Sequence, residues 1–160
     1  MDRVTAAVSL GSNLGDRHAH LDYAVSRLRT LFTNLRVSSY QDTDPVGVPD
    51  HQPLFLNAAA VGDTALGARS LLDALLAIER ERGRERPFPG AARTLDLDLV
   101  LYGNLVTDEP GLIVPHPRFR ERLFVLEPLA EVAPGWIDPG TGHTISALLQ
   151  QARRASPNPS

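Results

Sequence analysis

Asp96 and Asp98 stand two residues apart in the run Arg93-Thr94-Leu95-Asp96-Leu97-Asp98-Leu99-Val100-Leu101-Tyr102. In an extended strand that spacing puts both carboxylates on one face, with Leu95, Leu97, Leu99 and Leu101 on the other. Asp is a poor strand residue, so a pair of them calls for a reason. At a rise of about 3.3 Å per residue the two lie roughly 6.5–7 Å apart. They repel each other unless a cation sits between them. A hard cation such as Mg²⁺ takes one or two carboxylates and completes its shell with water and phosphate oxygens. On these ten residues alone a wet acidic face of an amphipathic strand is the other reading, and both stand.

Upstream lies a basic cluster, Arg80, Arg82, Arg84, Arg86 and Arg93, running into the Pro/Gly loop Arg84–Ala92. Arginine forks suit phosphate oxygens, and a loop can carry them onto a bound polyphosphate. The same Arg-Glu-Arg-Glu-Arg pattern also suits a solvated helix end with i,i+4 pairs. Asn57 sits inside the apolar run Phe55–Val61, sharing a face with Phe55 and Ala59. Its amide offers donors and an acceptor, which fits either a heterocycle edge or neighbouring backbone. His116 is bracketed by Pro115 and Pro117, and Glu79 lies beside the apolar face of a helix, close to the arginines. Gly11 opens the turn Gly11–Asp16, where a glycine lets backbone approach a ligand closely and also serves a plain strand-to-helix turn.

These residues need a scaffold. Arg3–Leu10 reads as a strand, Asp16 as an N-cap, and Arg17–Leu31 as a helix with Leu21, Ala24, Val25, Leu28 and Leu31 on one face. Arg36–Tyr40 reads as a second strand and Phe55–Val61 as a third, separated by the Pro-rich loop Thr43–Pro53. Ala68–Arg82 is an amphipathic helix, followed by the Asp strand. Gly103-Asn104 is a turn before a short return strand at Leu105–Thr107. Arg122–Glu131 is a helix with Pro128 near its beginning, and Ile145–Arg153 is a last helix. The order β-α-β-β-α-β gives an α+β fold: a ferredoxin-like sandwich with an antiparallel sheet and extra C-terminal helices. One domain over residues 1–154 and a disordered tail over 155–160 complete the expected organisation.

Composition narrows the class. The chain has 160 residues, 42% apolar and 22% charged, with a net charge of −3. That balance offers no nucleic-acid footprint. All 16 basic residues are Arg, and there is no Cys, which excludes disulfides, thiolate chemistry and Cys-ligated zinc. No apolar run reaches membrane-spanning length and no signal segment opens the chain, so a cytoplasmic protein with no membrane partner is expected.

Taken together, the motifs resemble the 6-hydroxymethyl-7,8-dihydropterin pyrophosphokinase family. They are Leu10–Asp16, Pro45-Val46-Gly47, Gln52–Ala58, Ile78-Glu79, Gly83-Arg84, Arg93–Asp98, Val114–Arg118, and Arg122–Val125 through Leu129, in collinear order over residues 3 to 135. The resemblance implies transfer of the β,γ-diphosphate of ATP to the pterin hydroxymethyl group, giving AMP and the pterin diphosphate in tetrahydrofolate biosynthesis. It implies small-molecule partners, pterin and ATP, and two Mg²⁺ ions held by Asp96 and Asp98. Arg84 and Arg93 correspond to arginines that stabilise the transferring group, and Arg86 assists. His116, Arg122 and Glu79 correspond to nucleotide or triphosphate contacts. Phe55 and Phe124 correspond to a sandwich around the pterin, Asn57 to its hydrogen-bonding partner, and Thr43, Val46 and Gly11 to further contacts. The chain departs from the family in carrying Gly90-Ala91-Ala92 where many members have a Trp, its only Trp being Trp136. Gly111 and Ile113 replace polar residues that some members use near ATP. A two-metal phosphoryl or nucleotidyl transferase with another acceptor is the alternative enzyme, and a silent binding domain the alternative without chemistry.

Overall fold

The computed structural model describes residues 2–43, 55–83 and 94–155. A five-stranded antiparallel sheet forms its centre. Strand β1 (Val4–Ser12) lies between β4 (Phe55–Thr64) and β5 (Asp96–Tyr102), and β4 is flanked on its far edge by β2 (Thr33–Val37) and β3 (Gln41–Thr43) end to end. Helices α1 (Arg17–Leu28) and α2 (Ala68–Gly83) follow β1 and β4. This is the expected ferredoxin-like order, with α3 (Leu123–Val132) and α4 (Ile145–Ala155) added at the C-terminal end.

Each face of the sheet has its own packing. Ala6, Val8 and Leu10 of β1, Leu56, Ala58 and Ala60 of β4, and Leu97 and Leu99 of β5 meet Leu21, Ala24 and Leu28 of α1 and Leu71, Leu75 and Ile78 of α2. On the opposite face Ala7, Ala59, Val61, Val100 and Leu101 meet Phe119, Val125, Leu126, Leu129, Ile145 and Leu148. The alanines keep the strands thin where helices must approach. Asp16 caps α1 as expected, its carboxylate accepting from the Ala19 N–H at 3.1 Å. Among the described residues no helix is long and apolar enough to cross a membrane.

Several expectations are corrected. Leu101 does not share a face with Leu95, Leu97 and Leu99. The β1–β5 register jumps from Ala7↔Leu101 to Val8↔Leu99, so Val100 is an extra, bulged residue. Val100 and Leu101 therefore both enter the core beneath α3 and α4. The strand expected at Arg36–Tyr40 is displaced and split into β2 and β3, broken at residues 38–40. The return strand after the Asp strand is instead a separate ribbon, β6 (Thr107–Glu109) paired with β7 (Leu112–Val114). Pro128 lies in the middle of α3, where it is buried; it removes the N–H that would bond the Phe124 carbonyl, a cost that burial against the sheet offsets. Ala155 ends α4, while residues 156–160 of the expected tail lie outside the described residues.

Candidate active site

The site exists because α3 and α4 cover only half of one sheet face. Residues 7, 61 and 101 lie under the helices, and the other end of that face carries polar side chains. Gly11 is paired with Asn57 on one side and Asp96 on the other, so Asn57, Gly11 and Asp96 form a row across three adjacent strands. Ala59, Ser9 and Asp98 form the next row. Adjacent strands lie about 4.8 Å apart, which sets Asn57 and Asp96 roughly 10 Å apart across the floor. A flat acceptor over Asn57 thus has room beside a polyphosphate over the carboxylates.

Gly11 keeps that floor open. A Cβ built there would lie 3.2 Å from the Asn57 Oδ1. The Asn57 amide is almost fully buried and is turned by β3: its Nδ2 donates to the Thr43 Oγ1 at 2.5 Å and more weakly to the Phe55 carbonyl at 3.5 Å. That leaves Oδ1 toward Gly11 as a fixed acceptor. Phe55 starts β4 beside this pair, partly exposed. Phe124 occupies the first turn of α3, and the Arg122 guanidinium lies 5.6 Å from its ring centroid, a cation–π distance.

Asp96 and Asp98 are both partly exposed on the open face, as the alternation requires. Between them the Leu97 N–H, pointing off the sheet edge, donates to the Glu79 Oε2 at 2.7 Å. Glu79 thus pins the backbone that carries both carboxylates. Among the described residues no third His, Cys, Asp or Glu joins them to make an all-protein metal cage. Two carboxylates on an open face are the donor set of a cation that takes its remaining oxygens from water and phosphate, and so they fit Mg²⁺.

His116 is held over the same edge. Its N–H donates to the carbonyl of the bulged Val100 at 2.9 Å, so the bulge docks the Pro-His-Pro segment. Its Nδ1 accepts from the Arg118 N–H at 3.3 Å, which places the ring proton on Nε2. Burial holds the His116 pKa below its ordinary value; Asp98 opposes this, and Arg122 and Arg118 add to it. The neutral ring is therefore a donor through Nε2. His116, Asp98 and Glu79 line a cleft of about 310 Å³ together with Leu72 and Leu76 of α2, Leu97 and Leu99 of β5, Pro117 and the segment from Gly111 to Val114. Apolar walls with two carboxylates and an imidazole donor among them suit a ligand that combines a flat base with phosphates. A larger groove of about 410 Å³, lined by Thr5, Arg36 and Asp63, lies at the far end of the sheet and contains none of these residues.

The described structure therefore brings Gly11, Thr43, Asn57 and Phe55 together at one end of the face and Asp98, Glu79 and His116 along its edge. Arg122 and Phe124 stand at the start of α3. Val46, Arg84, Arg86 and Arg93 lie outside the described residues. Sequence reasoning missed Ser9, a 7% exposed residue of the floor between Ala59 and Asp98. Its signal was the small-residue alternation Ala7, Ser9, Gly11 along β1. It also missed Ser38, Ser39 and Glu131, whose hydrogen bonds shape the strand break.

The class of the protein follows from a match over residues 7–134 to the family model described as 7,8-dihydro-6-hydroxymethylpterin-pyrophosphokinase (HPPK), a pyrophosphoryl transferase. The chain is 40% identical over 149 residues to the 2-amino-4-hydroxy-6-hydroxymethyldihydropteridine pyrophosphokinase of Synechocystis, covering 91% of this chain and 75% of that one. It is 46% identical over 129 residues to the Bacillus subtilis protein of the same description, covering 79% of this chain and 77% of that one. Among solved structures, Plasmodium falciparum HPPK-DHPS superposes with a TM-score of 0.78 over 99% of this chain at 14% identity, a likeness of fold. This chain spans 48% of that one. The chain belongs to the 7,8-dihydro-6-hydroxymethylpterin-pyrophosphokinase family. It is an ATP-dependent transferase that passes diphosphate to hydroxymethyldihydropterin in folate biosynthesis.

Proposed function

We propose that the Asn57–Gly11–Asp96 row divides the open sheet face into a pterin slot and a metal–phosphate edge. The single observation that carries this reading is that row: a buried, pre-turned amide and a carboxylate share one strand register either side of a glycine. The pterin ring sits over Gly11 with its polar edge on Asn57 beside Thr43 and with Phe55 and Phe124 as walls, and Val46 is assigned a further contact by the family resemblance alone. The Asn57 Oδ1 accepts from the ring edge, an interaction a phosphate acceptor could not use.

Asp96 and Asp98 are the residues that hold two Mg²⁺ ions. Bound there, the ions neutralise phosphate charge and lower the pKa of the acceptor hydroxyl. Glu79 acts on the nucleotide side by fixing the Leu97 backbone between the two carboxylates. His116 donates through Nε2 to a phosphate oxygen and needs no proton transfer to do so. Arg122 balances charge beside Phe124, and Arg84, Arg86 and Arg93 meet the charge that develops on the transferring group. ATP gives up its β,γ-diphosphate as the pterin hydroxyl oxygen forms the new bond to the β-phosphorus and releases its proton to solvent, and AMP leaves with the electron pair of the broken bond. The cytoplasmic placement expected from the sequence belongs to this proposal, and cell fractionation tests it.

Metal titration tests the assignment. Mn²⁺ bound to the protein with an ATP analogue is counted by electron paramagnetic resonance in wild type and in Asp96→Asn and Asp98→Asn. The proposal expects fewer bound ions in each variant and an unchanged thermal midpoint, because both side chains are partly exposed. Wild-type stoichiometry in both variants would remove the two carboxylates from the metal site.

A further inference from the structure

The break between β2 and β3 decides which side chain reaches Asn57. Along β4, Ala60 pairs with Val37 and Asn57 pairs with Gln41. The flanking chain uses one residue more than β4 does between those pairs, so residues 38–40 contain a bulge. A strand without it would continue the alternation, and the odd residues that face the α1–α2 core at Val37 would still face it at Thr43. The extra residue inverts that parity. Thr43 pairs with Phe55 and stands on the site face, where its hydroxyl turns the Asn57 amide, while Asp42 pairs with Leu56 on the other face.

The bulge is held by two serines and one distant carboxylate. The Ser38 N–H donates to the Ala59 carbonyl at 2.9 Å, and the Ser38 hydroxyl accepts from the Ala59 N–H at 2.9 Å, replacing a backbone partner that the bulge removes. The same hydroxyl donates to the Ser39 carbonyl at 2.9 Å. Glu131 then takes Ser39 with both oxygens: Oε2 accepts from the Ser39 N–H at 2.5 Å and Oε1 from its hydroxyl at 2.7 Å. Glu131 lies on α3, seven residues beyond Phe124 and therefore on the same side of the helix, about 10 Å along its axis. One carboxylate thus ties the helix that carries Phe124 to the bend that delivers Thr43.

We infer that Glu131 is a positioning residue for the pterin slot, acting through the Ser38–Ser39 bulge on Thr43 and Asn57 and through α3 on Phe124. It touches no substrate. This inference rests on the reading of Asn57 as the pterin partner. Its consequence is selective: the bulge and α3 frame the pterin end, whereas the cleft beside Glu79 and His116 is built from α2, β5 and β7.

The test is calorimetry on the full chain. 6-Hydroxymethyl-7,8-dihydropterin is titrated into protein saturated with Mg²⁺ and α,β-methylene-ATP, and the analogue is titrated separately. For Glu131→Ala the expected loss of pterin affinity is about tenfold, the scale of one misoriented buried hydrogen-bond partner, with analogue affinity within about twofold of wild type. Glu131→Gln keeps one acceptor oxygen and should recover part of the loss, which a merely structural effect of side-chain removal would not predict. Ser39→Ala, which deletes the hydroxyl bond to Glu131 and the weak 3.4 Å bond the hydroxyl accepts from Gln41 Nε2 but keeps the Ser39 N–H bond to Glu131, gives the same pattern at smaller size and serves if Glu131→Ala does not fold. Wild-type pterin affinity in these variants, or equal loss for both ligands, overturns the inference. Asn57→Ala separates the two levels. If it weakens pterin binding and the Glu131 variants do not, only the positioning role fails; if it does not, the slot assignment falls and the positioning role with it.

Discussion

Replacing Gly11 by alanine should leave stability nearly unchanged and weaken pterin binding. Gly11 lies in the strand outside the left-handed region, so the backbone accepts an L side chain there. Within a strand, Ala is favoured over Gly by roughly 0.5–1 kcal/mol. Against this, the new Cβ lies 3.2 Å from the Asn57 Oδ1 and 3.9 Å from both the Leu56 carbonyl and the Phe55 ring. Only the first contact is tight, and a shift of a few tenths of an ångström relieves it. That shift is resisted because the other end of the amide is bonded to Thr43 at 2.5 Å. The fold should therefore lose almost nothing, with a thermal midpoint within about 4 °C of wild type for a change near 1 kcal/mol. The acceptor oxygen, however, moves from its place, and a methyl group fills floor that a flat ring must cover. A mispaired buried hydrogen bond costs about 1–3 kcal/mol, so pterin affinity should fall by about tenfold or more, with ATP-analogue affinity unchanged. Differential scanning calorimetry and isothermal titration on the same preparation measure both quantities. Wild-type pterin affinity in Gly11→Ala would show that no ligand approaches the Gly11–Asn57 floor.

Three further outcomes are expected. Burial lowers the pKa of His116 and of His20, so for each the unfolded chain binds protons more readily than the folded one just below the ordinary value of 6.5. Stability is then full above that value and is lost as pH falls through the folded pKa values; urea midpoints between pH 7.5 and 5 should show the fall, and His116→Gln should flatten part of it. Phe124→Ala should raise the pterin KM more than the ATP KM, since an aromatic contact contributes about 0.5–1.5 kcal/mol beyond burial; equal rises in steady-state assays would count against its place in the slot. Arg84→Ala should lower the single-turnover rate strongly while leaving equilibrium binding nearly intact, as for a contact made in the transition state; lost affinity with an intact chemical rate would make it a binding residue instead.

The sequence showed its chemistry more readily than its irregularities. Alternation placed Asp96 and Asp98 on an open face because period-2 patterning is a direct consequence of strand geometry. It failed three residues later, at Leu101, because a bulge is set by pairing with β1 and leaves the composition of the strand unchanged. The second strand was misplaced for the same reason: Ser38 replaces a ladder partner with its hydroxyl, a long-range bond to Ala59 that no local pattern announces. Pro128 reads as a helix start, yet burial under the sheet lets it sit in mid-helix. Glu79 is legible as a carboxylate close to the arginines, but its bond to a backbone N–H eighteen residues on in sequence depends on how α2 packs beside β5. Asn57 was visible as a polar residue in an apolar strand, but the partner that fixes its amide depended on the bulge.

The most direct test of the central claim is phosphorus NMR of a single reaction containing the protein, ATP, Mg²⁺ and 6-hydroxymethyl-7,8-dihydropterin. Wild-type protein should convert ATP to AMP in step with a diphosphate ester of the pterin, and Asp96→Asn and Asp98→Asn should each slow this by orders of magnitude at unchanged thermal stability. Formation of ADP with a monophosphorylated pterin, or turnover that survives both substitutions, would contradict diphosphate transfer at the Asp96–Asp98 edge.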